Sequence, residues 1–334
     1  MLTPLLPLLV FIVPLLWLYF LDASSFESMW KGRTFQLFFI WLIGLELILG
    51  WENLKESKIK KLFSARTIIL ALSMVLPTAY VWASYYLGLN SEITNWSLIN
   101  NIKGQWASTM PLSTEYLAFT VLFCLVVFLA LGRKGLANFS IPAVFMGLVG
   151  MIYTIDNVYP YGQFTPFQFF VPTTAEMASK VLNLMGYTTA VGLEHDFNLG
   201  SMPTLTASGP LGTAKFAIAW PCAGIESLLI FTVVILLFLK RMPISWKAKI
   251  GYFAVGAAVT YFINILRIVT IFMIGMQYGE TSSEVQWFHL YYGPLYSITW
   301  IIFYPLIIFG SQSLWHRLRP KKPLGKVAGT LPIK

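Results

Sequence analysis

Charged residues are scarce in this chain. Only 11% of its 334 residues are Asp, Glu, Lys or Arg, whereas 57% are hydrophobic. A soluble domain carries roughly 25% charged residues, and a soluble chain this apolar would lack the polar groups needed to cover its surface. The composition therefore excludes an ordinary soluble domain and indicates that lipid is the surrounding solvent.

Cysteine is almost as rare, with one residue at Cys124 and one at Cys222. We see no disulfide framework in this pair, so each thiol needs its own explanation. Cys124 lies in the middle of an apolar run, where cysteine behaves as a small hydrophobic residue. Cys222 follows a proline at the start of another run and remains a candidate functional residue.

Eight apolar runs have about the length that a membrane span requires, roughly 20 residues. They cover residues 5–21, 35–50, 67–88, 116–131, 139–155, 221–239, 250–275 and 290–309. The first run is too long for a signal-peptide core and has no Lys or Arg before it, so we interpret it as a span. The sequence predicts an all-α integral membrane protein, a polytopic bundle of about eight transmembrane helices.

The positions of the basic residues predict the orientation. The segments 51–66, 132–138, 240–249 and 316–334 hold 17 Lys and Arg residues, and those on the other side hold 5. Basic residues concentrate in cytoplasmic loops. We therefore expect a multi-pass protein of the cell membrane, with both termini cytoplasmic and segments 89–115 and 156–220 outside. A net charge of +9 in this arrangement gives no indication of nucleic-acid binding.

The runs divide the chain into four parts. The predicted boundaries are 1–155 for transmembrane helices 1–5, 156–220 for an extracytoplasmic segment, 221–310 for helices 6–8 and 311–334 for a basic cytoplasmic tail. In the second part, Thr173 and Glu176 form a capping box, which predicts an interfacial helix ending near Gly186. A short β-hairpin is expected between residues 187 and 220.

Three chemically active side chains are predicted at one depth on the outer face. Pro221 is favoured at the first helical position, so Cys222 is expected in the first turn of the sixth span. Cys222 precedes Lys240 by 18 residues, about 27 Å of helix, and Arg267 follows Lys249 by the same interval. His289 is expected to open the eighth helix at the outer edge.

Those residue types together indicate acyl transfer. Cysteine with a neighbouring histidine is a nucleophile with its base, and a helix N-terminus favours the reactive thiolate. Arg267 would supply fixed positive charge for a thiolate or an oxyanion. A thioester formed on Cys222 would then be released by water or an amine. Asn264 shares a helix face with Arg267, and Glu226 shares one with Cys222.

Other interpretations remain open at this point. Taken alone, Cys222 is also explained by the need for a small residue in a helical turn, Arg267 by snorkelling to headgroups, and His289 by an interfacial position. The occurrence of all three at one depth makes these structural explanations the weaker ones. The run Glu194-His195-Asp196 is either a metal site or a solvated loop. His316 belongs with the cytoplasmic basic residues.

Two other classes of function are also open. A transporter or flippase would use intramembrane carboxylates and Arg267 as binding groups. Glu226 and Glu46 are the candidates, although Glu46 has no assigned role. A non-catalytic membrane scaffold is the other alternative. Modification of Cys222 by an impermeant reagent from outside would favour the enzyme over both.

Three short motifs together resemble the exosortase/archaeosortase family. They are Pro-Cys-Ala-Gly-Ile-Glu-Ser at 221–227, Asn-x-x-Arg-Ile at 264–268, and His289 followed four residues later by glycine. The resemblance rests mainly on residues 160–310, and the wording of the first motif favours the archaeosortase branch.

The resemblance implies a membrane cysteine protease or transpeptidase that acts on other proteins. Its substrates would carry a C-terminal sorting signal, which consists of a recognition motif, a membrane helix and a basic cluster. The enzyme would remove that tail and join the new C-terminus to a lipid or surface anchor. Cys222 would be the nucleophile, Arg267 the stabiliser of the thiolate or oxyanion, and His289 the general acid or base. Asn264 and Glu226 would support the site, and no cofactor or metal is expected.

Overall fold

The protein is a helical bundle with one small sheet, as seen in a computed structural model that describes residues 3–28, 31–54, 65–159, 170–196 and 200–318. The predicted tail lies outside the described residues from 319 onward, and residues 311–318 continue a helix. Residues 160–169 of the predicted extracytoplasmic segment are also outside them.

In the described residues of the first half of the chain there are seven α-helices. They are α1 Leu6–Leu21, α2 Thr34–Leu54, α3 Ala65–Tyr86, α4 Leu89–Ile99, α5 Gly104–Ala107, α6 Met110–Asn138 and α7 Ser140–Val158. The second half adds α8 Phe170–Leu184, α9 Ile225–Arg241, α10 Trp246–Tyr278, α11 Ser283–Trp287 and α12 Gly293–Leu318. A π-helical turn, Phe288–Tyr292, joins α11 to α12.

All eight predicted runs lie in helices. Within the described ranges, six helical segments are long and apolar enough to cross a membrane: Thr34–Trp51, Thr67–Tyr86, Gly104–Asn138, Ser140–Val158, Trp246–Tyr278 and Ser283–Trp315. The other two runs form the shorter helices α1 and α9, of 16 and 17 residues. The prediction of an all-α polytopic membrane protein is confirmed.

Aromatic rings form the core of the first half. Phe11 of α1 meets Phe39 of α2 and Phe119 and Phe123 of α6 edge to face, at centroid distances of 5.6 to 5.7 Å. Such edge contacts add to the free energy gained by burying apolar area. They fix α1, α2 and α6 against one another as one compact unit.

The sheet has one strand more than the predicted hairpin. Its strands β1 Thr188–Asp196, β2 Gly200–Gly209 and β3 Gly212–Ala217 form an antiparallel meander in sequence order. Leu205 and Ala214 are fully buried, and Phe216 of β3 meets Phe272 of α10 at 5.0 Å. The sheet therefore packs directly on α10, and we call this end of the bundle the sheet end.

The helix before the sheet begins earlier than the capping box predicted. Helix α8 starts at Phe170, so Thr173 lies inside its first turn. The predicted end is correct, because Gly186 follows the helix with a φ of +90° that favours glycine.

A buried carboxylate joins two helices at the opposite end, which we call the basic end. Glu46 of α2 is fully buried, and its two oxygens contact Lys240 Nζ at 2.8 Å and Arg241 Nη2 at 2.6 Å. Lys240 also donates to the carbonyl oxygens of Ala137 and Asn138. Glu46, which the sequence left without a role, thus holds α2, α9 and the α6–α7 corner together.

Candidate active site

One cavity of about 410 Å³ at the sheet end brings the three predicted side chains together. Cys222, Arg267 and His289 all line it, and so does Glu226. Cys222 comes from the segment before α9, Arg267 from α10 and His289 from the π-helical turn before α12. The cavity continues between α9 and α12 as far as Ile301.

Cys222 precedes its helix, in contrast to the prediction that it lies in the first turn. Residues Trp220–Ala223 form a 3₁₀ turn, and α9 begins at Ile225. Gly224 separates the two with a φ of +94°, a conformation that side chains other than glycine rarely adopt. The thiol therefore sits on a separate turn, and the argument from the helix N-terminus does not apply to it directly.

Asn264 stabilises that turn by a hydrogen bond to its backbone. Its Nδ2 donates to the carbonyl oxygen of Cys222 at 2.9 Å, and the side chain is almost fully buried. A Cβ at Gly224 would lie 3.0 Å from Asn264 Cγ and Nδ2. Gly224 is thus required both by its backbone conformation and by the close approach of Asn264. Asn264, which was predicted to support the site, therefore contacts the backbone of Cys222.

Arg267 is fixed by the π-helical turn. Its Nη2 donates to the backbone carbonyl oxygen of His289 at 2.9 Å, so the guanidinium is bonded directly to the turn that carries His289. A Cβ at Gly293 would lie 2.6 Å from Arg267 Nε. The helical segment begins at Ser283, earlier than predicted, so His289 lies within it and not at its start. Single π-helical turns of this kind frequently mark functional sites.

Several buried polar atoms along the cavity are without a hydrogen-bond partner. Among the described residues these include Glu226 Oε1, Arg267 Nε and Ser297 Oγ, each of which belongs to a residue lining the cavity. Unsatisfied buried polar groups are few in native proteins and call for an explanation. Three such atoms belong to residues around one cavity, where they can bond to water or to a bound molecule.

The sequence analysis missed the contribution of the first half of the chain to this site. Glu27 and Ser28, in the link between α1 and α2, line the same cavity. Their link is held by Arg33, whose guanidinium contacts Glu115 at 2.8 and 2.9 Å and Asp22 at 3.0 Å. Lys31 and Arg33 could have indicated that this link is important, because basic residues are rare on this side of the chain. No motif surrounds them, however, so the sequence did not connect them with the site.

Two ionisable groups of this link, outside the spanning helices, have shifted pKa values. Burial lowers the pKa of Lys31 from its usual range, and the charge of Asp156 only partly opposes that effect. Burial would raise the pKa of Asp22, but a hydrogen bond from Ser24 and the charge of Arg33 hold it below its usual value. Both shifts reflect the close packing of charged side chains in the link between α1 and α2.

The other candidate residues have structural contacts or lie outside the described side chains. Exposed Glu194 pairs with Lys215 at 3.2 Å, while the side chains of His195, Asp196 and His316 are not described. Within the described residues, no group of three or more His, Cys, Asp or Glu side chains is placed to bind a metal.

Comparison with known proteins identifies the family. The family model described as Transmembrane exosortase (Exosortase_EpsH) matches residues 29–308. No curated protein and no solved structure matches the chain. The match begins before Lys31 and thus includes most of the first half, in which no family motif was recognised from the sequence. The archaeosortase branch stays a prediction. Because the match covers most of the chain, this protein belongs to the transmembrane exosortase family.

Proposed function

We propose that this protein is a membrane cysteine transpeptidase or protease that cleaves C-terminal sorting signals. The observation that carries the proposal is the convergence of Cys222, Arg267 and His289 on one cavity of about 410 Å³. Membership of the exosortase family supports the general class of the reaction.

The reaction begins with attack of the Cys222 sulfur on a peptide carbonyl carbon. The thiol proton passes to a base, for which His289 is the candidate, and the carbonyl oxygen becomes an oxyanion stabilised by Arg267. When the peptide C–N bond breaks, the protonated base donates its proton to the leaving amine. The products of this half are a thioester on Cys222 and the released C-terminal segment.

The second half releases the acyl group. Water or an amine attacks the thioester carbonyl, gives up a proton to the same base, and returns Cys222 to its thiol form. Water would yield a free C-terminus, and an amine on a lipid or surface anchor would yield an attached protein. No metal or cofactor has a role in this sequence of steps.

In the proposed orientation this cavity opens at the outer face of the cell membrane and both termini are cytoplasmic. The clustering of 17 basic residues on one side supports it. Substrates would be membrane-anchored proteins whose signal comprises a motif, a membrane helix and a basic cluster. The transporter alternative is not favoured, because one of its three binding groups, Glu46, is engaged by Lys240 and Arg241 at the basic end.

The test is a comparison of protein C-termini in cells that carry wild-type enzyme, Cys222→Ala or Cys124→Ala. Mass spectrometry should find proteins that lose an apolar, basic-ended tail with the wild type and with Cys124→Ala, but not with Cys222→Ala. The mass remaining on the new C-terminus would identify the acceptor. If well-inserted Cys222→Ala processes every tail normally, Cys222 is structural and the proposal is wrong. If no tail depends on the enzyme at all, the proposal is also wrong.

A further inference from the structure

A chain of buried polar contacts connects the first half of the molecule to the nucleophile. Trp220 lies two residues before Cys222 and is only 2% exposed. Its indole Nε1 donates to Asp156 Oδ1 of α7 at 2.9 Å. The second oxygen of Asp156 contacts Lys31 Nζ at 2.6 Å, so both carboxylate oxygens are engaged.

The next members of this chain anchor it within the bundle. Lys31 Nζ also donates to Asn157 Oδ1 at 2.7 Å. Asn157, which is fully buried, donates from Nδ2 to Ser113 of α6 at 2.8 Å and accepts from Thr109 at 2.8 Å. The contacts therefore run from α6 and α7, through the α1–α2 link, to the turn that carries Cys222.

The backbone around Lys31 is constrained for the same contact. Lys31 has a φ of +51°, a left-handed conformation that costs free energy in residues other than glycine. The next residue, Gly32, has no space for a Cβ, which would collide with the carbonyl oxygen of Ser28. Such strain persists where the surroundings require one conformation, and it is concentrated at functional sites.

We propose that Asp156 and Lys31 are positioning residues for Cys222 and act through Trp220. Asp156 fixes the indole, the indole fixes the 3₁₀ turn, and Lys31 neutralises the carboxylate that would otherwise be buried unpaired. The same link presents Glu27 and Ser28 to the cavity, so the wall of the cavity and the position of the nucleophile are set together. The proposal rests on the proposed function for its effect on cleavage.

The experiment uses full-length protein in membranes with Cys124→Ala, which leaves Cys222 as the single thiol. Two quantities are measured for each variant: the rate of alkylation of Cys222 by iodoacetamide, and processing of C-terminal tails in cells. Trp220→Phe removes the indole N–H and keeps an aromatic ring, while Asp156→Leu removes both acceptors. Asp156→Asn retains one acceptor for the indole. Lys215→Met removes the lysine of an exposed ion pair at the sheet end and is the control.

The expected result is a divergence between the two measurements. Release of the turn exposes the half-buried thiol, so alkylation should rise severalfold in Trp220→Phe and Asp156→Leu. Processing should fall about tenfold, as the loss of one hydrogen bond to a charged group would predict. The effects of Trp220→Phe and Asp156→Leu on processing should not add, because both substitutions remove the same hydrogen bond, the one between Trp220 and Asp156. Asp156→Asn should restore a large part of the processing, and Lys215→Met should change neither quantity.

Two results would overturn the proposal. If alkylation is unchanged in an inserted Trp220→Phe variant, the contact does not position the thiol. If processing is unchanged although alkylation rises, the position of the turn does not limit the reaction. The alkylation measurement needs no substrate, so it stands even if no tail is processed by the wild type, which would contradict the proposed function alone.

Discussion

At the scale of single residues, Gly293 shows how closely the site is packed. The motif contains a glycine four residues after His289, and the structure gives the reason. A Cβ at this position would lie 2.6 Å from Arg267 Nε and 3.0 Å from the Phe288 carbonyl oxygen. The absence of a side chain lets α10 and the π-helical turn approach until Arg267 reaches the His289 carbonyl.

We therefore expect Gly293→Ala to abolish most processing of C-terminal tails while the protein still inserts. The added methyl group must displace Arg267 or widen the gap between the two helices, and either change separates Arg267 from His289. Gly310→Ala in the same helix α12 is the control, because a Cβ there meets nothing within 4 Å. Equal activity of both variants would show that Arg267 need not occupy its observed position.

Asn264 leads to a second prediction at this scale. Asn264→Leu has a similar size but leaves the buried carbonyl oxygen of Cys222 without its donor, a loss of roughly 1–3 kcal/mol. Processing should fall at least tenfold, as measured by quantifying tails. Thr270→Val, which removes only a bond to Leu266 within α10, should retain activity; a matching loss there would show that α10 tolerates no change and that Asn264 is not special.

The sequence predicted which residues meet at the site but not how each is held. Cys222, Arg267 and His289 were found because charged and nucleophilic side chains are rare in apolar helices. The 3₁₀ turn at Cys222 was missed, because Gly224 in a left-handed conformation leaves no signal distinct from a helical glycine. The contacts of Asp156 with Trp220 and with Lys31 were missed because they join residues 64 or more positions apart.

At the scale of helices and strands, Glu46 is the residue that links α2 to α9 at the basic end. Apolar periodicity predicted both helices, since long apolar runs have few alternatives to a helix in lipid. Their pairing was not predictable, because a buried carboxylate in a span equally fits a transport site. The third strand of the sheet was not predicted either. Short segments in which apolar and polar residues alternate do not show how many strands pair with one another.

Glu46→Gln should lower the thermal stability of the protein in detergent. Lys240 and Arg241 would lose their common carboxylate, and breaking a buried ion pair costs about 3–5 kcal/mol. A fall in the melting temperature is expected, whereas Glu176→Gln on the exposed face of α8 should leave it unchanged. A triple variant with leucine at positions 46, 240 and 241 should recover part of the loss, and a further fall would contradict the ion-pair explanation.

At the scale of the whole molecule, the sheet end and the basic end define two faces. Exposed Leu193 lies on the sheet and exposed Trp246 at the basic end. Single cysteines at either position, in a chain without Cys124 and Cys222, therefore report the orientation of the bundle. In intact cells an impermeant maleimide should label Leu193→Cys, and it should label Trp246→Cys only after permeabilisation. The opposite pattern would place the cavity on the cytoplasmic side.

The inner end of the cavity limits what part of a substrate can enter. The space ends at Ile301, where Phe231, Ile301 and Tyr304 belong to one buried apolar cluster. A cavity of about 410 Å³ is too small to enclose a spanning helix, which is about 10–12 Å wide and 30 Å long. Under the proposed function, the substrate's anchor must stay in the lipid while an extended linker bends in. The enzyme would then select the peptide bond by its distance from the bilayer surface as well as by the sequence around it.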